Sequence, residues 1–318
     1  MKRPRPTNST DPAVAGDHLQ QAKSLGEAIP DLMVEARHIA NSIAAGWHGR
    51  RRSGLGETFW QFRSFSPGEP AKRIDWRRSA RDDHLYVREK EWEASHTVWL
   101  WADLSPSMEF CSHLATTSKR DRALVLILAL ADLLARGGER IAMPGISRPT
   151  ASRTAAEQMA TALFHAPPAT ALPDPASITR YSEVVVIGDL LDPIDELEDF
   201  ISNVAAIGAN LHLIQVMDPI EESFPFAGRV EFRDPESGER LTAGRAENWV
   251  ETYNNRLTAH RTALSDRCSK LGLPLLVHHT DRPASEPLLA LYERLAGLNQ
   301  AKAGAAIGDA ANLPIGGL

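Results

Sequence analysis

Apolar and polar positions change period several times along the chain, and each change marks an element. Leu32, Ala36, Ile39, Ala40, Ile43 and Ala44 recur at helical spacing, with Asp31 placed to cap the start and Gly46 and Gly49 to end the helix. Val98 to Ala102 is an unbroken apolar run, the pattern of a strand covered on both faces. Ala123 to Ala135 is apolar nearly all round, which predicts a heavily buried helix, opened by Ser118-Lys119-Arg120-Asp121 and closed by Gly137-Gly138. Glu139 to Met143 reads as the next strand, residues 144–153 as a loop and Thr154 to Phe164 as a helix.

The alternation continues to the end of the chain. Glu183 to Ile187 is a buried strand ending at Gly188-Asp189, and Pro193 opens an acidic-fronted helix over Ile194 to Ala206. Asn210 to Met217 is another buried strand, ending at Asp218-Pro219. Val230-Glu231-Phe232 and Arg240-Leu241-Thr242 flank Asp-Pro-Glu-Ser-Gly, a β-hairpin pattern inside residues 222–245. A long helix over Ala246 to Leu271, a strand over Pro274 to His278 and a helix over Glu286 to Leu295 follow. Strands alternating with helices predict an α/β fold with a doubly wound, mostly parallel sheet, extended by an N-terminal helix and the hairpin.

Composition narrows the class without naming a function. The chain has 318 residues, 43% hydrophobic and 24% charged, normal for a soluble globular protein with a real core. A formal net charge of −6 argues against electrostatic binding of nucleic acid by the whole molecule. Two cysteines make neither a disulfide framework nor a zinc site. No apolar run follows the basic N-terminus, and Ala123 to Ala135 is too short to span a bilayer. The expectation is a cytoplasmic protein with no membrane span. The organisation predicted is a disordered or loosely structured 1–30, a helix with an Arg/Trp-rich segment over 31–95, a main domain over 96–298 containing the hairpin, and a flexible tail over 299–318.

Chemistry concentrates where the first buried strand ends, at Asp103-Leu104-Ser105-Pro106-Ser107. In extended backbone, residues two apart point the same way, so one carboxylate and two hydroxyls converge. Oxygen ligands of this kind suit a hard cation such as Mg²⁺. In doubly wound sheets, ligands bind outside the carboxyl ends of strands at the switch point. Asp103 and Asp189 both fall at strand carboxyl ends, an independent reason to bring them together. A plain strand-to-loop turn is the competing reading of Asp-x-Ser-x-Ser, and a turn or capping acid that of Asp189. Asp192 reads as a helix cap before Pro193, Asp218 and Glu221 as turn-forming or interface acids, and His278-His279 as a strand end facing solvent.

A second informative segment precedes the first buried strand. Phe59, Gln61, Arg63 and Phe65 alternate as a strand would, Pro67-Gly68 signals a turn, and His84 to Arg88 reads as a second short strand. Aromatics interleaved with arginines are compatible with single-stranded nucleic acid, but arginine stacked on an aromatic ring or paired with Asp75 or Glu69 is the commoner use. Arg50-Arg51-Arg52 reads as a solvated basic turn.

Two resemblances rest on these residues. Asp103-x-Ser105-x-Ser107 after an apolar strand resembles the metal-ion-dependent adhesion site of von Willebrand factor A-type domains. Gly54-x-Gly56-x-x-Phe59-x-x-x-Arg63-x-Phe65-x-Pro67-Gly68-Glu69, then Lys72-Arg73-Ile74-Asp75-Trp76 and Ser79-Ala80-Arg81, resembles the signature of the domain-of-unknown-function family 58. That family usually has Pro-Gly-Asp-Asp where this chain has Pro67-Gly68-Glu69-Pro70, and Tyr at the place of Phe65. The resemblance implies a von Willebrand factor A-like (Rossmann-like) fold and, as partner, a MoxR-type AAA+ ATPase. It also implies a metal set of Asp103, Ser105, Ser107 and Asp189 with a threonine from the loop before the third helix, where Thr150 and Thr154 stand and Thr154 is taken as the ligand. The cofactor implied is Mg²⁺, or Mn²⁺ or Ca²⁺. The cation's vacant corner would accept an acidic residue of a client protein.

The function expected is therefore a non-enzymatic, metal-dependent protein-interaction module, an adaptor or co-chaperone in assembling or activating a client. No nucleophile elbow, Walker loop, His-Glu-x-x-His or dinucleotide fingerprint is present. The enzymatic alternative is a Mg²⁺-dependent phosphoester hydrolase using Asp103 and Asp189.

Overall fold

A computed structural model of the chain describes residues 12–48, 59–65, 74–81, 84–90, 96–165 and 170–295. The basic turn at 50–52, most of the Gly-x-Gly and Pro-Gly parts of the Arg/Trp segment, and the tail from 296 lie outside them. The core is a five-stranded sheet in the order β4-β3-β5-β6-β9, with every neighbouring pair parallel. Its strands are β3 (Thr97–Ala102), β4 (Arg140–Ala142), β5 (Glu183–Gly188), β6 (Asn210–Met217) and β9 (Leu275–His279). The crossovers carry α3 (Lys119–Arg136), α4 (Ala155–His165), α5 (Ile194–Ile207) and α7 (Val250–Lys270). The protein is thus a mixed α/β fold with a parallel central sheet, as the alternating pattern predicts.

Strand periodicity divides the core in two. Val98, Leu100 and Ala102 of β3 pack into one cluster, with side chains of α3 and α4 and of a further helix, α8, over 285–295. Trp99 and Trp101 pack on the opposite face, with Leu197, Phe200, Ile201 and Val204 of α5 and Leu264 and Cys268 of α7. The indole of Trp101 donates to the Ala171 carbonyl at 2.9 Å, which satisfies its one buried donor.

The apolar circumference of α3 has a direct cause. A further helix, α1 (Pro12–His48), lays Leu32, Met33, Ala36, Ala40 and Ile43 against it from the side opposite the sheet. Every residue of α3 from Arg122 to Ala135 is buried. Each fully buried Leu there contributes about 1.5–3 kcal/mol, so α1 closes the core rather than decorating it. The helix expected to start at Asp31 already runs from Pro12, and Asp31 lies inside it, one residue after Pro30. The apolar seam that marks a helix begins only where α1 reaches α3, so the periodic pattern reports the contact and not the helix start.

Two hairpins complete the described residues. β1 (Phe59–Ser64) pairs antiparallel with β2 (Tyr86–Lys90), and β7 (Val230–Arg233) with β8 (Arg240–Ala243). Between β1 and β2, Asp75 caps the short α2 (Trp76–Ser79) by accepting from the Arg78 amide at 2.9 Å, and the Arg78 guanidinium sits 4.7 Å from the centre of the Tyr86 ring. The helix α6 (Pro219–Ser223) follows β6 directly.

β9 overturns one expectation. His278 does not face solvent: it is 3% exposed, while Val277 beside it is 48% exposed. Burial, with Arg122 and His279 nearby, pushes its imidazole down to about 4. At this point of the edge strand the alternation turns His278 to the covered side and Val277 to water. His279 pairs with Glu222 at 2.9 Å.

Candidate functional site

The order of the strands sets the site. From β3 the chain crosses to β4 on one side, then returns past β3 to β5, so the switch point lies between β3 and β5. Asp103 follows β3 and Asp189 follows β5, and the Asp103 amide extends the ladder by donating to the Ile187 carbonyl at 2.8 Å. The two acids therefore leave neighbouring strands at the same rim. Gly188 makes the approach possible: a Cβ there would stand 2.9 Å from the Asp103 Cβ.

The loop after β3 folds onto its own acid. The Ser105 amide donates to Asp103 Oδ1 at 2.8 Å. Ser105 Oγ and Ser107 Oγ are 3.1 Å apart, and Ser107 Oγ donates to Asp189 Oδ2 at 3.0 Å. The structure thus brings Asp103, Ser105, Ser107 and Asp189 into one constellation. Asp189 is held from behind: Gln215, fully buried on β6, donates to its carbonyl at 2.8 Å, and the Leu191 amide reaches its Oδ1 at 3.3 Å. Leu190 between them takes a left-handed φ of 50° with its side chain 2% exposed. A buried β-branch-free residue held in that region marks a segment fixed by its surroundings.

Thr154 is not part of this group. Its hydroxyl is bonded to Ser152 at 2.9 Å and Gln158 at 3.3 Å at the start of α4, and Thr150 bridges to Ile141 beside β4. The loop after β4 is tied to the sheet edge by that bridge, which explains why neither threonine joins the rim. Asp192 does not cap α5, whose N-cap is Pro193. Asp218 is fully buried and caps α6 in a reciprocal box with Glu221, while also accepting from the Ser112 amide at 2.8 Å.

The residue that sequence reasoning missed is Lys119. Its side chain is 2% exposed, and its ammonium donates to Asp189 Oδ2 at 3.0 Å and to Glu221 Oε1 at 2.7 Å. It sits in the first turn of α3, where Ser118-Lys119-Arg120-Asp121 reads as a capped helix start; only the tertiary fold shows that this turn points into the rim. Burial works against its charge, but Asp189 and Glu221 together carry the ammonium above its ordinary value. Asp103 is pushed up to about 6, first by burial and then by Asp189 and Asp192, against the hydrogen bonds from Ser105 that lower it. Asp192 is raised by burial and by Asp189. Among the described residues, Asp103, Asp189 and Glu221 gather around the one ammonium of Lys119, so acid outnumbers base at the rim.

That excess bears on whether a divalent cation fits. Among the described residues no three His, Cys, Asp or Glu side chains cluster as metal ligands. What gathers here is two carboxylates and two hydroxyls. Neighbouring ligands of a six-coordinate ion with bonds of about 2.1 Å stand about 3.0 Å apart. The spacings Ser105 Oγ to Ser107 Oγ and Ser107 Oγ to Asp189 Oδ2 match that edge length. The donor atoms are oxygens, the kind a hard cation takes, and Asp189 Oδ2 is shared with the Lys119 ammonium.

One more group reaches the site. Glu236, at the tip of the β7–β8 hairpin, accepts from the Ser107 amide through Oε1 at 2.9 Å.

Solved structures similar to the chain include the conserved hypothetical protein BatB from Bacteroides thetaiotaomicron, 13% identical with a TM-score of 0.38, covering 64% of this chain and 100% of that one. An aerotolerance-related membrane protein from Bacteroides fragilis is 14% identical with a TM-score of 0.35, covering 63% and 98%. The cytoplasmic placement expected from the sequence finds no support there, since the second of these proteins is described as a membrane protein. Composition cannot separate a free domain from a tethered one, since both present the same water-exposed surface. No helix among the described residues is long and apolar enough to cross a membrane.

Among curated proteins, the uncharacterized protein Rv1480 of Mycobacterium tuberculosis and the uncharacterized protein Mb1516 of Mycobacterium bovis are each 27% identical over 279 residues, 81% of this chain and 86% of theirs. The family model described as protein of unknown function DUF58 matches residues 61–263, a span holding the Arg/Trp segment's second half, Asp103, Lys119, Asp189 and the hairpin. The chain belongs to the DUF58 family of proteins of unknown function.

Proposed function

We propose that this chain is a non-enzymatic protein-interaction module of von Willebrand factor A-like type, whose rim site holds a divalent cation and receives an acidic side chain from a client protein. The observation that supports the reading is the meeting of Asp103, Ser105, Ser107 and Asp189, from two neighbouring strand ends, in one hydrogen-bonded oxygen cluster. Ser105 and Ser107 present neutral hydroxyls, and Asp103 and Asp189 supply the charge. When bound, the cation supplies a Lewis-acidic corner for a carboxylate oxygen. Lys119 sets the orientation of Asp189 by gripping Oδ2 and tying it to Glu221 on α6. Gln215 fixes the backbone below. By the family resemblance, the partner that acts with this module is a MoxR-type AAA+ ATPase, and the chain serves as its adaptor or co-chaperone.

Hydrolysis of a phosphoester by the same residues is the second reading, favoured by the Ser107 hydroxyl's contact with a carboxylate. The buried Lys119 ion pair on that same carboxylate oxygen counts against it, because the oxygen is already engaged by an ammonium as well as by the hydroxyl.

The test is binding of Mn²⁺ to the full chain by calorimetry and by paramagnetic broadening. Saturable one-site binding that Ser105→Ala and Asp103→Asn abolish is the expected result. No binding, or binding indifferent to both substitutions, ends the metal-dependent reading. Mg²⁺-dependent retention of a MoxR-type ATPase, lost in Ser105→Ala, tests the partner. Turnover of generic phosphoesters, lost in Asp103→Asn, would transfer the assignment to the hydrolase.

A further inference from the structure

The hairpin over residues 230–243 reaches back to the rim from far along the chain, and it places a carboxylate at the mouth. Glu236 Oε1 lies 2.9 Å from the amide nitrogen of Ser107. That amide belongs to the loop whose hydroxyls line the site, so Glu236 stands beside the site.

The tip that presents Glu236 is stiff. Asp234 accepts from the Glu236 amide at 3.1 Å and from Ser237, and the Gly238 amide closes the turn on the Asp234 carbonyl at 2.9 Å. Gly238 takes a φ of 73°, a backbone that side chains rarely adopt. Asp-Pro-Glu-Ser-Gly is therefore a preorganised acidic turn rather than a loose loop.

The hairpin is joined to the site's own residues through Phe232, two residues before Asp234. Phe232 stacks on Phe224 and Trp249, with ring centres 5.7 and 5.9 Å apart, and Phe224 stacks on Tyr253 at 4.5 Å. The Tyr253 hydroxyl donates to the Glu221 carbonyl at 2.6 Å, and Glu221 is the second acid on Lys119. Opposite Phe232 the ribbon is exposed, with Leu241 61% exposed, and β8 buries only Ala243, at the base.

We propose that Glu236 is an internal ligand of the rim site, so that the β7–β8 hairpin is a latch which a partner's acidic turn must displace. This rests on the reading of the rim as an acid-receiving site and names its regulation and the shape of its ligand: a glutamate carried at the tip of a tight turn. The latch itself, a carboxylate on the Ser107 amide, contains no metal, so it stands or falls separately from the cation.

The experiment uses the full ¹⁵N-labelled chain as wild type, Glu236→Ala and Glu236→Gln, with and without MgCl₂. The probe is the synthetic peptide acetyl-Asp-Pro-Glu-Ser-Gly-amide. Glu236→Ala is expected to speed exchange of the Ser107 amide by about threefold or more, the lower range for one net hydrogen bond. It is also expected to let the peptide shift the Ser107 resonance at concentrations about threefold or more below those wild type requires. Glu236→Gln, which keeps an acceptor oxygen without the charge, falls between. A hairpin that merely loosened would exchange faster but gain no peptide binding. Unchanged exchange, or a peptide response in Glu236→Ala that is absent or equal to wild type, overturns the latch. Mn²⁺ broadening on the same samples reports the cation reading independently.

Discussion

Asp103→Asn makes the electrostatics of the rim measurable. The Asp103 carboxyl titrates at 3.8 in an ordinary setting and at about 6 in the folded protein. Between those values the native state holds a proton that the unfolded chain has released, so stability falls as pH rises, and above about 6 the whole penalty is present. A shift of that size corresponds to about 3 kcal/mol at pH 7 and about 0.5 kcal/mol at pH 4. Asparagine keeps the acceptor for the Ser105 amide but carries no charge at any pH. The stability difference between variant and wild type should therefore open in favour of the variant by roughly 2 kcal/mol between pH 4 and pH 7. Any fixed cost of seating the amide beside Gly188 cancels from that change. The assay is urea unfolding of both chains at each pH, read as midpoint and slope. A difference that stays flat with pH refutes the claim that Asp103 is held as a strained, partly protonated acid. The comparison must be between chains, because His278 works oppositely in the wild type. Its imidazole drops from 6.5 to about 4 on folding, so it contributes stability above 6.5 that is lost as pH falls toward 4.

Three further outcomes follow from the same geometry. Replacing His278 with leucine should flatten the acid side of the stability profile, removing an acid-linked loss of up to about 3 kcal/mol, checked by thermal melts from pH 4 to pH 7. Lys119→Met leaves Asp189 and Glu221 buried without their cation and should cost about 3–5 kcal/mol at neutral pH; the triple variant with Asp189→Asn and Glu221→Gln should recover much of that in urea unfolding. Gly188→Ala drives a methyl to within 2.9 Å of the Asp103 Cβ and should cost about 1–3 kcal/mol while weakening Mn²⁺ binding, read by melting and calorimetry.

Much of the architecture is legible in one dimension. Val98 to Ala102 and Val184 to Ile187 are unbroken apolar runs because both faces of a parallel strand are covered, and the structure buries them in β3 and β5. The switch-point argument brought Asp103 and Asp189 together because strand ends and crossovers obey rules that need no side-chain detail. Ser105 and Ser107 followed from the period of extended backbone. The threonine was another matter. It rested on where a loop ought to reach, and the bridge of Thr150 to Ile141 holds that loop at the sheet edge. His278 was misplaced because a strand at the edge of the sheet has one covered face, and local pattern does not reveal which.

Periodicity, capping and strand-end residues are properties of neighbours in the chain, so the helices, the parallel strands and the acid-hydroxyl rim were determined by the sequence itself. Which charges meet was decided only in three dimensions. Lys119 is bonded to acids 70 and 102 residues away, and Glu236 reaches Ser107 across 129. A buried ammonium and a surface lysine have the same letter, and an acidic turn looks alike whether it faces water or a binding site. Desolvation and Coulomb energy depend on distance through space, and no local pattern carries that distance.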